Sequence, residues 1–150
     1  MNIRPARPDE HDDVARVWME SWVSTGLADA SNFLLANLRA RVAREIEGGW
    51  DLFVADDNGR LAAMLALQPR DNYLDQLFVA PEDQGRGLGR QLLTFTRHRM
   101  PDEIWLRCVR ENEKAWRWYE REGFVFEKDD ISPITGHTMK CYRWKKEASR

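Results

Sequence analysis

The chain has 150 residues and a mass of 17.6 kDa, the length of one domain. Its 23 Lys and Arg against 25 Asp and Glu leave a net charge of −2, which argues against a basic nucleic-acid module, and no apolar run approaches the ~20 residues a bilayer requires. Seven Trp and six Phe supply a core and exclude disorder throughout.

Cys108 and Cys141 show neither CxxC spacing nor a nearby His pair, so neither a disulfide framework nor a metal site is expected. The opening MNIRPARPDE turns charged at once and holds no apolar signal core. A cytoplasmic protein with reduced thiols is the expectation.

Asn2 to Ala6 suits a first strand. Pro8 then fits the start of a helix, and Asp9 and Glu10 favour its positive end. Val14, Val17, Trp18 and Trp22 recur at helical spacing, which predicts a helix over 8–22 that Gly26 interrupts. Ser31 can cap a second helix with Leu34, Leu38, Val42 and Ile46 on one face, ended by Gly48-Gly49. Apolar runs at 52–55 and 61–67 then flank Asp57-Asn58-Gly59, a strong hairpin signal because both turn positions need positive φ.

Further on, Tyr73 to Val79 reads as a strand closed by Pro81. A Gly-rich turn leads into a helix over 87–100, and Pro101 breaks it. A strand over 104–109 and a helix over 113–122 follow, with Gly123 placed as a left-handed cap. Strands over 125–128 and 139–144 end the chain, with 129–138 as the loop between them. This order predicts an α/β fold: a mixed central sheet of about seven strands with helices on both faces. The strands either side of the 87–100 helix form a crossover unit and should run parallel.

Gln84-Gly85-Arg86-Gly87-Leu88-Gly89 lies between a strand and a helix. Glycines there let backbone approach a ligand, and the free N–H groups of the helix start, aided by its dipole, favour a phosphate or pyrophosphate. No Gly-Lys-Ser/Thr is present, so the loop is not a P-loop. The alternating glycines also lack the Gly-x-Gly-x-x-Gly spacing of a dinucleotide fold.

The segment from Leu77-Phe78-Val79-Ala80-Pro81 through Gln84 to Gly89 resembles the signature of the GNAT superfamily of N-acetyltransferases, Gln/Arg-x-x-Gly-x-Gly/Ala after an apolar-x-Val-x-Pro strand end. Asn112, Ala115, Trp118, Tyr119, Gly123 and Phe124 resemble its second element, in family order and spacing. Ile3-Arg4-Pro5-Ala6 and Tyr142-Arg143-Trp144 are similar to its ends, so the likeness covers nearly all of residues 1–150, read as one domain.

The resemblance implies acetyl-CoA as cofactor. It implies that backbone N–H groups of Gln84, Gly85, Arg86, Gly87, Leu88 and Gly89 hold its pyrophosphate, with Arg86 and Arg90 available to neutralise phosphates. Leu77, Phe78 and Val79 would pair with the pantetheine arm, which needs the central parallel strands 73–79 and 104–109 to splay, usually through a bulge in the first. An amide near Phe78 or Val79 would polarise the thioester carbonyl.

An alkylamine has a pKa near ~10.4, so roughly one molecule in 2,500 is neutral at pH 7, and a base is useful. The resemblance implies Tyr119 as the acid that protonates the departing thiolate, and Asp75 as a candidate base with Glu111 a weaker one. Gln76 would face the other way by strand alternation. Asn112 is expected to bind cofactor, orient water or cap a helix. Cys108 is expected to be structural, since no His partner is evident.

The resemblance places the acceptor site in the first two helices and the loop before the last strand. Trp18, Trp22 and Phe33 would form its apolar wall, and Glu20, Asp29, Asp129 and Asp130 would attract an ammonium group. The implied activity is acetyl transfer to a primary amine of a small molecule or peptide in a ternary complex, with a homodimer possible. A non-catalytic acyl-CoA sensor and an interaction protein with a purely structural Gly-rich turn stand as rivals.

Overall fold

The middle of the chain abandons alternation for an unbroken apolar run, and in the computed structural model that run is the third strand, β3 (Arg60–Gln68), buried at every residue from Leu61 to Leu67. A strand buried on both faces needs helices on both sides. The structure describes residues 1–27, 35–133 and 135–147. In chain order the other elements are β1 (Asn2–Pro5), α1 (His11–Ser24), α2 (Leu35–Glu47), β2 (Asp51–Asp57), β4 (Tyr73–Val79), α3 (Leu88–Arg99), β5 (Glu103–Val109), α4 (Glu113–Arg121), β6 (Val125–Ile131) and β7 (Thr138–Lys145).

The seven strands form one sheet in the order β1-β2-β3-β4-β5-β7-β6. All neighbours are antiparallel except β4 and β5, the predicted parallel pair. On one face Leu88, Leu92 and Leu93 of α3 and Tyr119 of α4 pack on Phe53, Leu65, Leu74 and Leu106. On the other, Val14, Val17 and Trp18 of α1 and Leu38 and Val42 of α2 pack on Trp50, Val54 and Met64. The expected hairpin is present, with Asn58 and Gly59 both at positive φ.

Two expectations change, and a third falls outside the described residues. Residues 8–10 form a 3-10 turn rather than the first turn of α1. The cause lies in Glu10, whose carboxylate is turned back to accept from the Arg7 N–H at 2.8 Å and from both Arg4 terminal nitrogens at 2.8 Å. Arg4 also donates to Asp56 at 3.1 Å, so one guanidinium ties the chain's entry to β2. Second, β6 runs on to Ile131, because its antiparallel ladder with β7 carries through Asp129↔Lys140 and Asp130↔Met139. Tertiary pairing overrides the poor strand propensity of two aspartates. Third, the proposed cap Ser31 and Leu34 lie outside the described residues.

Glu10 is 7% exposed, and the Arg4 hydrogen bonds hold its carboxyl at about 2, below the ordinary 4.5. A depressed carboxyl stabilises the fold above its unfolded pKa, and that contribution is lost as pH falls from about 4.5 through about 2. Glu10→Gln is therefore expected to lower stability at pH 7 by on the order of 1 kcal/mol. The variant should also lose part of the wild type's acid sensitivity in that window, as read by urea unfolding at stepped pH.

Candidate active site

The site begins with a count. Gln76 lies opposite Ala66 and Leu74 opposite Leu67, so β4 carries one extra residue, Asp75, against β3. That is a β-bulge. It resets the alternation: Tyr73 and Asp75 share a face, and after the bulge so do Gln76 and Phe78, while Leu74, Leu77 and Val79 turn to the α3 side. The expectation that Gln76 faces away from Asp75 is thereby corrected. The Gln76 amide donates to Asp75 Oδ1 at 3.0 Å.

The second consequence is separation. β4 and β5 meet in register at one pair, Tyr73↔Trp105, close to the start of both strands, and no pair is formed beyond it among the described residues. This is the splay expected from the sequence. The Ala80 N–H donates to Ala62 O at 2.8 Å, which makes Ala62↔Ala80 a hydrogen-bonded pair. Two residues back, Phe78 turns its amide toward β3 in the same way, so Leu77 and Val79 present theirs to the gap. Of the two amides considered for the thioester carbonyl, Val79's is the one that faces the opening. The Val79 carbonyl on the same side accepts from Ser21 Oγ at 2.8 Å and Gln84 Nε2 at 3.1 Å.

The Gly-rich turn follows at this open end. Gly85 sits at φ +82 and Gly87 at φ +77, conformations that a side chain resists. Gly87 is the N-cap of α3, and the first N–H returned to a helical carbonyl is that of Gln91, to Gly87 O. The amides of Leu88, Gly89 and Arg90 thus emerge at the helix's positive end. The Leu88 side chain is core, so only its amide can serve a ligand. Gly89 lies against α4, where an added Cβ would meet Trp118 Cζ2 at 3.3 Å. The loop is braced by Asp83, 1% exposed and held below the usual carboxylate range first by Arg60, which binds it bidentately at 2.7 Å. Arg86 joins the same carboxylate at 2.9 Å, and Arg90 pairs with Glu122 at 3.0 Å. Both guanidiniums are well exposed, which leaves their outer nitrogens within reach of a phosphate.

Tyr119 lies on the α3/α4 face, 7% exposed, edge-on to Trp118 and Phe124. Gly123 and Phe124 N–H groups cap α4 on Glu120 O and Tyr119 O at 3.1 and 3.0 Å, which fixes the turn carrying the tyrosine. Burial pushes its phenol well above the ordinary range, so it carries its proton at neutral pH. Burial likewise pushes the Cys108 thiol up to about 12, which leaves it protonated and a poor nucleophile. Asn112 occupies the N-cap of α4 but makes no side-chain cap bond, so its amide is not committed to the helix end.

Asp75 is on the opposite face. It accepts from Trp50 Nε1 at 2.7 Å, Gln68 Nε2 at 2.9 Å and Gln76 at 3.0 Å. A carboxylate offers about four lone-pair sites, so one remains. Sequence reasoning did not include Trp50, Gln68, Tyr73 or Arg107 in the site; their neighbourhood follows from sheet order, which no local motif encodes. Tyr73 stacks on Trp105 at 4.1 Å, and Arg107 Nε donates to the Tyr73 hydroxyl at 3.4 Å.

The proposed aromatic wall is corrected in part. Trp18 is 2% exposed, sealed by Trp50, Phe78 and Arg41, and is core. Trp22 is half-buried and meets Phe78 edge-on at 6.3 Å. Phe33 and Asp29 lie outside the described residues. Glu20 is paired with Arg16 at 3.2 Å. Asp129 and Asp130 stand in β6 rather than in a loop, and Asp130 approaches Arg107 at 3.6 Å. Glu111 is exposed and 3.6 Å from Arg110.

Comparison with known proteins gives a consistent picture. Residues 12–124 match the model of the acetyltransferase (GNAT) family. A probable N-acetyltransferase of Mycobacterium tuberculosis is 29% identical over 140 residues, with 83% of this chain and 79% of that protein covered. A peptidyl-lysine N-acetyltransferase of Escherichia coli is 28% identical over 128 residues, covering 81% and 82%. The PaiA N-acetyltransferase of Thermoplasma acidophilum, solved with coenzyme A, superposes with a TM-score of 0.76 at 20% identity over 97% of this chain and 98% of that one.

Gly87→Ala places a Cβ at positive φ, a strain of about 1 kcal/mol or more, at the turn that aims the loop amides. Coenzyme A is expected to bind at least five-fold more weakly to this variant, with the far-ultraviolet spectrum unchanged, by calorimetric titration.

Proposed function

The chain belongs to the GNAT acetyltransferase family, and from that premise we propose that it moves the acetyl group of acetyl-CoA to a primary amine by direct attack in a ternary complex. Acetyl-CoA-dependent acyl transfer is the activity of the family; the acceptor class and the order of events are our reading. The observation that carries it is the parting of β4 and β5 beyond Tyr73↔Trp105, with Val79's amide facing the gap.

In this reading the pantetheine arm lies along Leu77 to Val79 as an added strand, and the pyrophosphate meets the amides from Gln84 to Arg90. Val79's amide stabilises the oxyanion of the tetrahedral intermediate. Asp75 takes a proton from the ammonium form of the acceptor through its one remaining lone-pair site, directly or through water. Collapse breaks the carbon–sulfur bond and Tyr119 gives its proton to the departing thiolate; the second proton of the attacking nitrogen passes through water to restore Tyr119, and Asp75 returns its own to solvent. The acid and the base then stand on opposite faces of the gap, which suits an amine arriving from the α1/α2 side. The protonated state of Cys108 supports direct attack over an acyl-cysteine route. Asn112, with its side chain uncommitted, is available to the cofactor or to a water.

No helix among the described residues is long and apolar enough to cross a membrane. Two free, buried cysteines support a reducing, cytoplasmic location. We read residues 1–150 as one catalytic domain, with the outer edge of β6 available to a second copy.

The test is coenzyme A release from acetyl-CoA across amino acids, polyamines, aminoglycosides and lysine peptides, each against an amine-free blank. Release with one class supports the reading; coenzyme A binding with silence across the panel favours a sensor. Tyr119→Phe is expected to lower kcat at least tenfold with coenzyme A affinity little changed. Cys108→Ala should keep kcat within about two-fold, and its loss would point to a covalent route.

A further inference from the structure

The Tyr73 hydroxyl is influenced by two unlike charges. Arg107 Nε donates to it at 3.4 Å, and the Arg107 guanidinium lies 5.9 Å from the ring centre. Asp75 is two residues along the same strand. After burial, its charge is the largest influence raising the Tyr73 phenol. All three groups sit where β4 and β5 begin to separate, on the α1/α2 side.

Arg107 is held more loosely than Arg4 or Arg143. Arg4 holds Glu10 with two bonds at 2.8 Å, and Arg143 reaches Glu127 at 3.0 and 3.1 Å. Arg107 faces Asp130 at 3.6 Å, beyond a hydrogen bond, and its Nε bond to Tyr73 is long. No described residue accepts from its two terminal nitrogens, the pair that would grip a carboxylate side by side. Its side chain is 29% exposed and lies near both the Tyr73 hydroxyl and the Asp130 carboxylate, with its terminal nitrogens open to a ligand.

We propose that Arg107 binds a carboxylate carried by the acceptor, so that the acceptor is a small amino acid-like molecule whose amine meets Asp75 and whose carboxylate meets Arg107. The inference rests on the transferase reading above and names the substrate class of that site. Tyr73 and Trp105 are in register, so Asp75 and Arg107, each two residues further on, stand across the opening between the parting strands. An α-amino acid carries its amine and its carboxylate on one carbon and can meet a charged partner on each side of that opening. Asp130 acts as the counter-charge that keeps Arg107 aimed at the opening when no acceptor is held. Trp22 and Phe78 edge the same side and favour an apolar side chain.

The experiment compares L-phenylalanine with L-phenylalaninamide, alongside putrescine and a lysine peptide, in the coenzyme A release assay. The amide keeps the amine and loses the anion. Its amine is also the less basic of the two, so any bias from amine basicity works against the inference. The wild type is expected to favour the carboxylate at least tenfold in kcat/KM. Arg107→Gln should raise KM for phenylalanine at least tenfold with kcat nearly unchanged, and leave the amide unaffected. Arg107→Lys should restore part of the loss. Equal losses on acid and amide, or a preference for the lysine peptide or putrescine that ignores Arg107, would overturn it. Should no acceptor release coenzyme A, the transferase reading fails separately. The carboxylate inference is then read by titrating N-acetyl-L-phenylalanine into protein saturated with coenzyme A. Binding weakened at least tenfold by Arg107→Gln supports the inference, whereas absent or Arg107-independent binding refutes it.

Discussion

One extra residue in β4 governs the site. Because Asp75 has no counterpart on β3, the strand bends and β5 can follow it for only one residue pair. Backbone groups that a parallel ladder would have satisfied are turned into a gap, and each buried amide or carbonyl left without a partner costs about 1–3 kcal/mol. The fold offsets part of that cost locally. Val79's carbonyl is claimed by Ser21 from α1 and by Gln84 from the Gly-rich turn. Those two bonds do more than satisfy an oxygen. They fix α1 and the Gly-rich turn to the same point on the strand.

The surrounding charges serve the same registration. Asp83 is almost fully buried, yet it is bound bidentately by Arg60 from the start of β3 and again by Arg86 from the loop itself. A buried carboxylate with good geometry to two guanidiniums is a rigid joint, and breaking it by removing one partner is far more disruptive than never having built it. The joint holds the loop to the central strand while leaving its amides outward. Near the same β2–β3 hairpin, Arg4 performs a comparable task with Glu10 and Asp56, locking the entry of α1 to β2.

Much of the fold was legible in the sequence because it depends on local rules. The Asn-Gly hairpin, the glycines at positive φ before α3 and the Gly123-Phe124 cap of α4 each follow from what a backbone position permits. The two motifs of the family sit at those same positions, which is why they could be read together. What was not legible depends on register. Nothing in Leu74-Asp75-Gln76 announces a bulge, since the extra residue exists only relative to β3, and so the shared face of Asp75 and Gln76 was missed. Asp129-Asp130 read as a turn because aspartate disfavours strands, yet pairing with β7 decides otherwise. Trp18 illustrates a third limit: an indole suits a core and a binding wall equally, and only the placement of Trp50, Phe78 and Arg41 over it decides.

The two faces of the sheet also divide the chemistry in a way that explains the uneven environments of its titrating groups. On the α3/α4 face, Tyr119 and Cys108 are dry, and burial raises both, so that side can deliver a proton but offers no anion to attack. On the α1/α2 face, Asp75 accepts from three donors and keeps one free direction, near a phenol and a guanidinium. In the proposed reading an acceptor arriving from that face meets a base on β4 and a cation on β5, across the opening between them. The bulge that opens the gap therefore also sets Asp75 and Gln76 side by side on that face. A shift of one residue in register would close the cleft and turn the base away together.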